Sequence, residues 1–306
     1  MPSRLGAVMK SPALAPATAA LAPAVWGSTY LVTAELLPPD RPLLASVMRA
    51  LPAGLMLVAL TRARLPRGFR AKTAALGVLN VGAFFYLLFV AAYRLPGGVA
   101  ALVLCAQPML VLLLNGVVLK QGIRAAHAAA CGSVAVGISL LVLTSSAQLD
   151  AVGVVAGLGA AACMAAGIVL TKKWGKPPTM GNLAFTGWQL TFGGLFLAPM
   201  LVVGEGLPQT FTAENLLGFS YLGIVGAALT YWIWFKSIEA LPTIAVSFLA
   251  FASPLTAAVL GFLFRGEAFT PIQALGALVI VGSIVSVQPR PPRLPRALPS
   301  PAHRSP

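Results

Sequence analysis

The chain has 306 residues, of which 58% are hydrophobic and 9% charged, and its mean hydropathy is +0.88. Soluble domains carry roughly 25% charged residues, so this composition cannot build a water-facing surface and excludes a soluble globular protein. A net charge of +14 would suggest nucleic acid in a soluble chain; here the cations fall in short loops between apolar runs, and no nucleic-acid partner is expected.

A helix needs about 20 apolar residues to cross a bilayer core of about 30 Å. Ten windows reach that length: 12–34, 42–61, 73–92, 97–119, 125–144, 151–171, 182–204, 216–235, 242–264 and 270–288, and nine of them hold no Asp, Glu, Lys or Arg. They are continuous runs without alternation at period two, which predicts helices rather than barrel strands.

In chain order, the first span carries Trp26, Ser28 and Tyr30. The second carries Arg49, the one formal charge well inside a span, seven residues from Pro42 and so about 10 Å deep. An arginine there costs a few kcal/mol unless it is paired or hydrated, and it reads either as a ligand for a substrate carboxylate or phosphate or as a structural group that snorkels or bonds carbonyls. The third span holds Asn80 and Tyr86, the fourth Gln107 and Pro108. Pro108 should free the Leu104 carbonyl, as Pro254 in the ninth span should free that of Ala250. His127 starts the fifth span as a polar end residue, and Gly153, Gly157 and Gly159 make the sixth a close-packing helix. Trp188 and Gln189 lie in the seventh span, Tyr231, Trp232 and Trp234 in the eighth. Cys105, Cys131 and Cys163 read as small buried hydrophobes without metal-ligand or disulfide spacing. Residues 1–11 form a short N-terminal segment, and the basic, proline-rich tail 289–306 is expected to be disordered.

The pattern occurs twice. Leu95-Pro96 returns as Leu241-Pro242 and Pro108 as Pro254, 146 residues on, while Arg49, Ala53-Gly54 and Leu55 align with Gln189, Gly193-Gly194 and Leu195 at an offset of 140. Two halves, 12–144 and 151–288, then hold five spans each. Five is odd, so the second half must thread the bilayer in the opposite sense. The expected fold is an all-α integral membrane protein of ten transmembrane helices in two five-helix inverted repeats, an architecture in which a substrate site lies between halves that rock. Under this topology 17 of the 21 cations fall on the side of the termini, and six of the seven acids, Glu35, Asp40, Asp150, Glu205, Glu214 and Glu267, fall on the other. Short basic loops stay cytoplasmic. This predicts a multi-pass protein of the cytoplasmic membrane with both termini inside.

Several local patterns resemble the drug/metabolite transporter superfamily, specifically its EamA-type ten-helix members. They are Trp26-Gly27-Ser28 in the first span, Pro42 followed by Arg49 in the second, and mid-helix Pro108 and Pro254. Trp188-Gln189 with Gly193-Gly194, Tyr231-Trp232-Ile233-Trp234-Phe235, and Gln273, Gly276 and Gly282 complete the set. The likeness spans essentially residues 20–288. The family commonly has Glu after the fourth and ninth helices; this chain keeps Glu267 but has Lys120-Gln121 at the earlier place.

The resemblance and the repeat imply a secondary transporter, exporting a small amphiphilic metabolite (amino-acid-like) or drug by alternating access. The substrate-binding residues are expected to be Trp26, Ser28, Tyr30, Arg49, Tyr86, Gln107, Trp188, Gln189, Tyr231 and Trp232, with Pro108 and Pro254 as hinges. A nucleotide-sugar or phosphate exchanger would want several cations in the cavity, and only Arg49 qualifies. An intramembrane enzyme would want a nucleophile with a base or clustered acids and histidines, and the chain has two histidines and no acid within a span. No metal, cofactor or catalytic residue is expected. The partners are a small-molecule substrate and membrane lipid; the sequence leaves the oligomeric state open and is compatible with a monomer. Proton coupling through Glu35 or Glu239, substrate exchange and facilitated diffusion all remain open.

Overall fold

The computed structural model describes residues 15–120, 125–143, 150–208, 210–233 and 252–286, and every element among them is helical. The elements are α1 (Ala15–Gly27), α2 (Thr29–Leu36), α3 (Pro42–Thr61), α4 (Arg67–Arg94), α5 (Gly97–Leu104), α6 (Gln107–Val118), α7 (Ala125–Leu143), α8 (Ala151–Trp174), α9 (Asn182–Gly204), α10 (Ala213–Ile233), α11 (Ala252–Arg265) and α12 (Pro271–Ser286). Among the described residues six rods are long and apolar enough to cross a membrane: α3, α4, the pair α5–α6, α8, α9 and α10. Both terminal segments, together with Trp234, Glu239 and Leu241-Pro242, lie outside the described residues.

Local chemistry sets the boundaries. Pro42 opens α3 where its missing N–H costs nothing. Asp150 caps α8 by accepting from the backbone N–H groups of Val152 and Gly153. The Arg94 guanidinium beside it, 2.6 Å from Oδ2, holds the Asp150 carboxyl below the usual carboxylate range, and these cap bonds add to the shift. Thr212 and Asn215 form a reciprocal capping box on α10, as Thr270 and Gln273 do on α12.

Four spans are less regular than the sequence predicts, in three ways. The first breaks at Ser28 between α1 and α2. The fourth breaks at Cys105-Ala106, three residues before Pro108, where Met109 and Leu110 both donate to Ala106 O. Pro108 supplies the reason, since it has no N–H to carry the ladder across. Pro254 stands in the first turn of α11, and the Ala250 carbonyl expected to be freed there lies outside the described residues. The third irregularity has no sequence signal. Val78–Ala83 of α4 and Tyr221–Leu229 of α10 are π-helical, a wide turn common at functional sites.

Side-chain bonds define two ends of the bundle. At the acidic end, Glu205 after α9 accepts from Leu43 N (2.6 Å) and Leu44 N (2.9 Å) in the first turn of α3, and pairs with Arg41 at 3.5 Å. Asn215 donates to Leu36 O, Tyr93 to Pro38 O, and Glu267 accepts from Gly97 N at the start of α5 while pairing with Arg265, which also meets Glu35. At the basic end, Trp188 donates to Ala63 O, Leu65, Met180 and Ala184 bury one another, and Lys176 meets Asn182. Because α3 (Pro42–Thr61) starts just after Arg41 and ends just before Ala63, while α9 (Asn182–Gly204) starts just after Met180 and ends just before Glu205, these contacts hold the two helices antiparallel along their length.

The α3–α9 contact is the most extensive between helices among the described residues, and glycine makes it possible. A Cβ at Gly54 would lie 2.5 Å from Thr191 N, and one at Gly194 would lie 2.7 Å from Leu51 Cβ. Small residues let membrane helices approach at backbone distance. Around this axis the main core gathers Leu44, Ala50, Phe85, Phe89, Leu190, Leu197 and Leu222, while Val103, Val134 and Ile280 anchor a second cluster among α5, α7 and α12. The outer faces carry exposed Leu55, Leu60, Val202, Val203, Leu217, Leu229, Phe262, Phe264 and Leu278. A soluble protein does not expose that much apolar surface; lipid is its solvent.

Candidate functional site

Buried polar groups from several helices, Thr29 and Thr230 among them, converge on Arg49. The residue is 4% exposed. Its Nη1 donates to Thr29 Oγ1 at 3.3 Å and its Nη2 to Gly226 O at 3.4 Å, and its guanidinium lies 4.6 Å from the Phe85 ring centroid and 5.9 Å from that of Phe89. Nε, buried, has no hydrogen-bond partner. Tyr30, Tyr221 and Tyr231 are the phenols close enough to interact with the charge, and no carboxylate among the described residues shares its depth.

The carbonyl that receives the arginine belongs to Gly226, within the π-helical turn of α10. Gly226 O accepts from Trp26 Nε1 (3.2 Å), from Thr230 Oγ1 (2.9 Å) and from Arg49 Nη2. Trp26 Nε1 also donates to Thr230 Oγ1, and its ring stands 5.8 Å from that of Tyr231. Ser28 Oγ donates to Val25 O at 2.7 Å and lies 2.6 Å from the Tyr221 hydroxyl. Trp26, Ser28, Tyr30, Arg49 and Tyr231 are thus brought together at the meeting of α1, α2, α3 and α10. Tyr221, Thr230, Gly226, Thr29, Phe85 and Phe89 belong to the same cluster, and sequence reasoning missed their roles.

The other expected site residues lie apart. Tyr86 packs half-buried against the main core, and Gln107 opens α6 beside the helix break. Trp232 follows Tyr231 on α10 and is half-buried. Trp188 is spent at the basic end on Ala63 O. Gln189 accepts from Asn80 Nδ2 at 2.8 Å, while Asn80 Oδ1 is buried without a partner. The side chain of His127 lies outside the described residues.

A cavity of about 540 Å³ opens at the acidic end. Tyr30 and Thr33 line its deeper part, and Ala34, Asp40, Arg94, Arg265 and Glu267 stand around its mouth. Tyr30 therefore lies between solvent on this side and the Arg49 cluster. Among the described residues no group of His, Cys, Asp and Glu could hold a metal ion.

An all-helical chain with leucine, valine and phenylalanine on its outer faces and its hydrogen-bonding side chains turned inward is a multi-pass membrane protein. The chain belongs to the EamA-like transporter family: that family's sequence profile matches residues 14–143 and again residues 151–287. It is 46% identical over 267 residues to Protein PecM of Dickeya dadantii, covering 87% of this chain and 90% of that one. The WAT1-related protein At3g02690, chloroplastic, of Arabidopsis thaliana is 27% identical over 86% of this chain and 66% of its own length. The uncharacterized inner membrane transporter YedA of Escherichia coli is 27% identical over 86% and 87%. A solved crystal structure covers 90% of this chain and 96% of its own at a TM-score of 0.63 and 18% identity, a likeness of fold alone. The protein is a membrane transporter.

Proposed function

We propose that the protein is a secondary transporter which exports a small amphiphilic metabolite, amino-acid-like or drug-like, by alternating access. In this reading ten helices form two five-helix halves of opposite sense, with the basic end and both termini in the cytoplasm. The observation that carries it is the buried cluster around Arg49, in which Trp26 and Arg49 of the first family match bond the opened turn of α10 in the second. A site shared between two halves can be exposed to each side in turn. The antiparallel course of α3 and α9 supports the opposite sense, as does the reciprocal seating of Gly54 on Thr191 and Gly194 on Leu51, which are pairs of equivalent positions.

The substrate contacts in this reading centre on Tyr30, Ser28, Trp26 and Tyr231, whose rings and hydroxyls suit an apolar body with a few polar groups. Arg49 lies behind them as the cation available to an acidic substituent, with Tyr86, Gln107 and Trp232 further along the path and Pro108 and Pro254 permitting bends. Arg49 is the one buried charge among the described residues. A nucleotide sugar carries at least two negative charges, which favours a monoanionic or zwitterionic substrate over that alternative.

The test is purified protein in liposomes, screened against amino acids, nucleosides and cationic dyes under imposed pH gradients. Trp26→Ala removes both indole bonds and the ring facing Tyr231, and it should lower the transport rate at least tenfold while the protein still inserts. Wild-type rates from Trp26→Ala and Tyr30→Ala would remove the site.

A further inference from the structure

The polar contacts of α3 and α9 are mirror images. Arg49 stands seven residues into α3, and Gln189 seven residues into α9, each about 10 Å from its helix start. Those starts lie at opposite ends of the bundle. Arg49 bonds Gly226 in the π-turn of α10, and Gln189 bonds Asn80 in the π-turn of α4. At the repeat offset of 146, Asn80 corresponds to Gly226. The flanking glycines correspond as well: a Cβ at Gly77 would meet Gln189 O at 2.7 Å, and one at Gly223 would meet Met48 O at 3.4 Å. Each half thus sends one polar side chain into an opened turn of the other, once towards the acidic end and once towards the basic end.

The two contacts are not equally tight. Towards the basic end the Asn80–Gln189 bond is 2.8 Å long. Towards the acidic end, where the cavity opens, Arg49 makes only bonds of 3.3 and 3.4 Å and leaves Nε unpaired. We propose that these are reciprocal clamps, and that Asn80, Gln189 and Arg49 are the positioning residues of the transport cycle. Asn80–Gln189 holds the halves together towards the basic end while the acidic end is open. Arg49 tightens onto Gly226 when the acidic end closes and Asn80–Gln189 releases. The inference rests on the inverted-repeat reading above. It follows from population arithmetic that breaking one clamp favours the state in which the other is closed.

The test reads state without knowing the substrate. Cys105, Cys131 and Cys163 are replaced by alanine and a reporter, Ala34→Cys, is placed in the exposed lining of the acidic-end cavity. Its labelling rate with a membrane-impermeant maleimide is measured on intact cells. Asn80→Leu and Gln189→Leu should each slow labelling at least threefold. Adding Arg49→Gln to Asn80→Leu should return the rate towards the parent, because both clamps are then lost; a merely structural defect would compound instead. Arg49→Gln/Gly226→Asn, which copies the amide pair of the other clamp, should match the parent rate. A Cβ at Gly226 meets nothing closer than 3.6 Å, so a side chain can start there without a clash. Should Asn80→Leu fail to insert, Asn80→Ser, too short to reach Gln189, carries the same expected sign. Unchanged labelling in all variants, or slowing that deepens in the double variant, overturns the clamps. If that happens while the loops after α3 and α9 still label from opposite faces, the clamps fail and the inverted architecture stands.

Discussion

Gly54→Leu is expected to keep the protein from accumulating in the membrane. A Cβ at position 54 would fall 2.5 Å from Thr191 N, 2.7 Å from Thr191 Oγ1 and 2.9 Å from the Leu190 carbonyl carbon, two of them backbone atoms of α9. A flexible side chain can swing aside, but a helix backbone can only be pushed away as a unit. Overpacking a core costs about 1–3 kcal/mol where neighbours can shift. Here the α3–α9 contact on which the core is built would have to open, and the cost should reach or exceed the top of that range. The mirrored Gly194→Leu, directed at Leu51, should behave alike. Gly132→Leu is the control, because nothing lies within 4 Å of its Cβ position. Membrane yield and thermal unfolding in detergent read the effect. Wild-type yield and unfolding temperature for Gly54→Leu would mean that α3 and α9 do not meet there.

Glu205→Ala should produce the second large loss. The first N–H groups of a helix have no partner within it, and Glu205 meets two of them, Leu43 N and Leu44 N, across the bundle. Leaving a partly buried donor unsatisfied costs about 1–3 kcal/mol, so two orphaned donors should lower the unfolding temperature by several degrees. The carboxylate also stands at the positive end of the α3 dipole and 3.5 Å from Arg41. Glu205→Gln, which keeps one acceptor oxygen, should lie between wild type and alanine. Equal unfolding temperatures for all three proteins would show that α3 does not depend on this cap.

The chain's helical, membrane-spanning character is legible before any coordinates, because 20-residue apolar runs leave few alternatives. The cost of placing Arg49 there is legible for the same reason, but the sequence leaves snorkelling and inward burial both open, and the structure shows burial. Its partners are not legible. They include Gly226 O, which lies within a π-turn, and no residue between Tyr221 and Leu229 announces such a turn. Glu205 reads in sequence only as an acid on one side, since its partners lie 161 and 162 residues away. Trp188 illustrates the opposite case. It lies six residues into α9, close behind the basic Lys172–Lys176 segment, and that proximity to a span end was a readable sign of the anchoring bond to Ala63 O. For Gln189, the alignment with Arg49 was visible, but its pairing with Asn80 required the fold. Trp26 is an expected site residue whose N–H the structure engages with Gly226 and Thr230, so in the proposed function its ring is what meets the substrate.

The claim on which the account turns is that the two halves cross the membrane in opposite senses, and the loops after α3 and α9 test it most directly. Single cysteines replacing Arg67 and Thr210, both exposed, in the background lacking Cys105, Cys131 and Cys163, are exposed to an impermeant maleimide on intact and then permeabilised cells. Thr210→Cys should react at once and Arg67→Cys only after permeabilisation. Reaction of both from the same face would contradict the inverted halves, and with them the shared site and its reciprocal clamps.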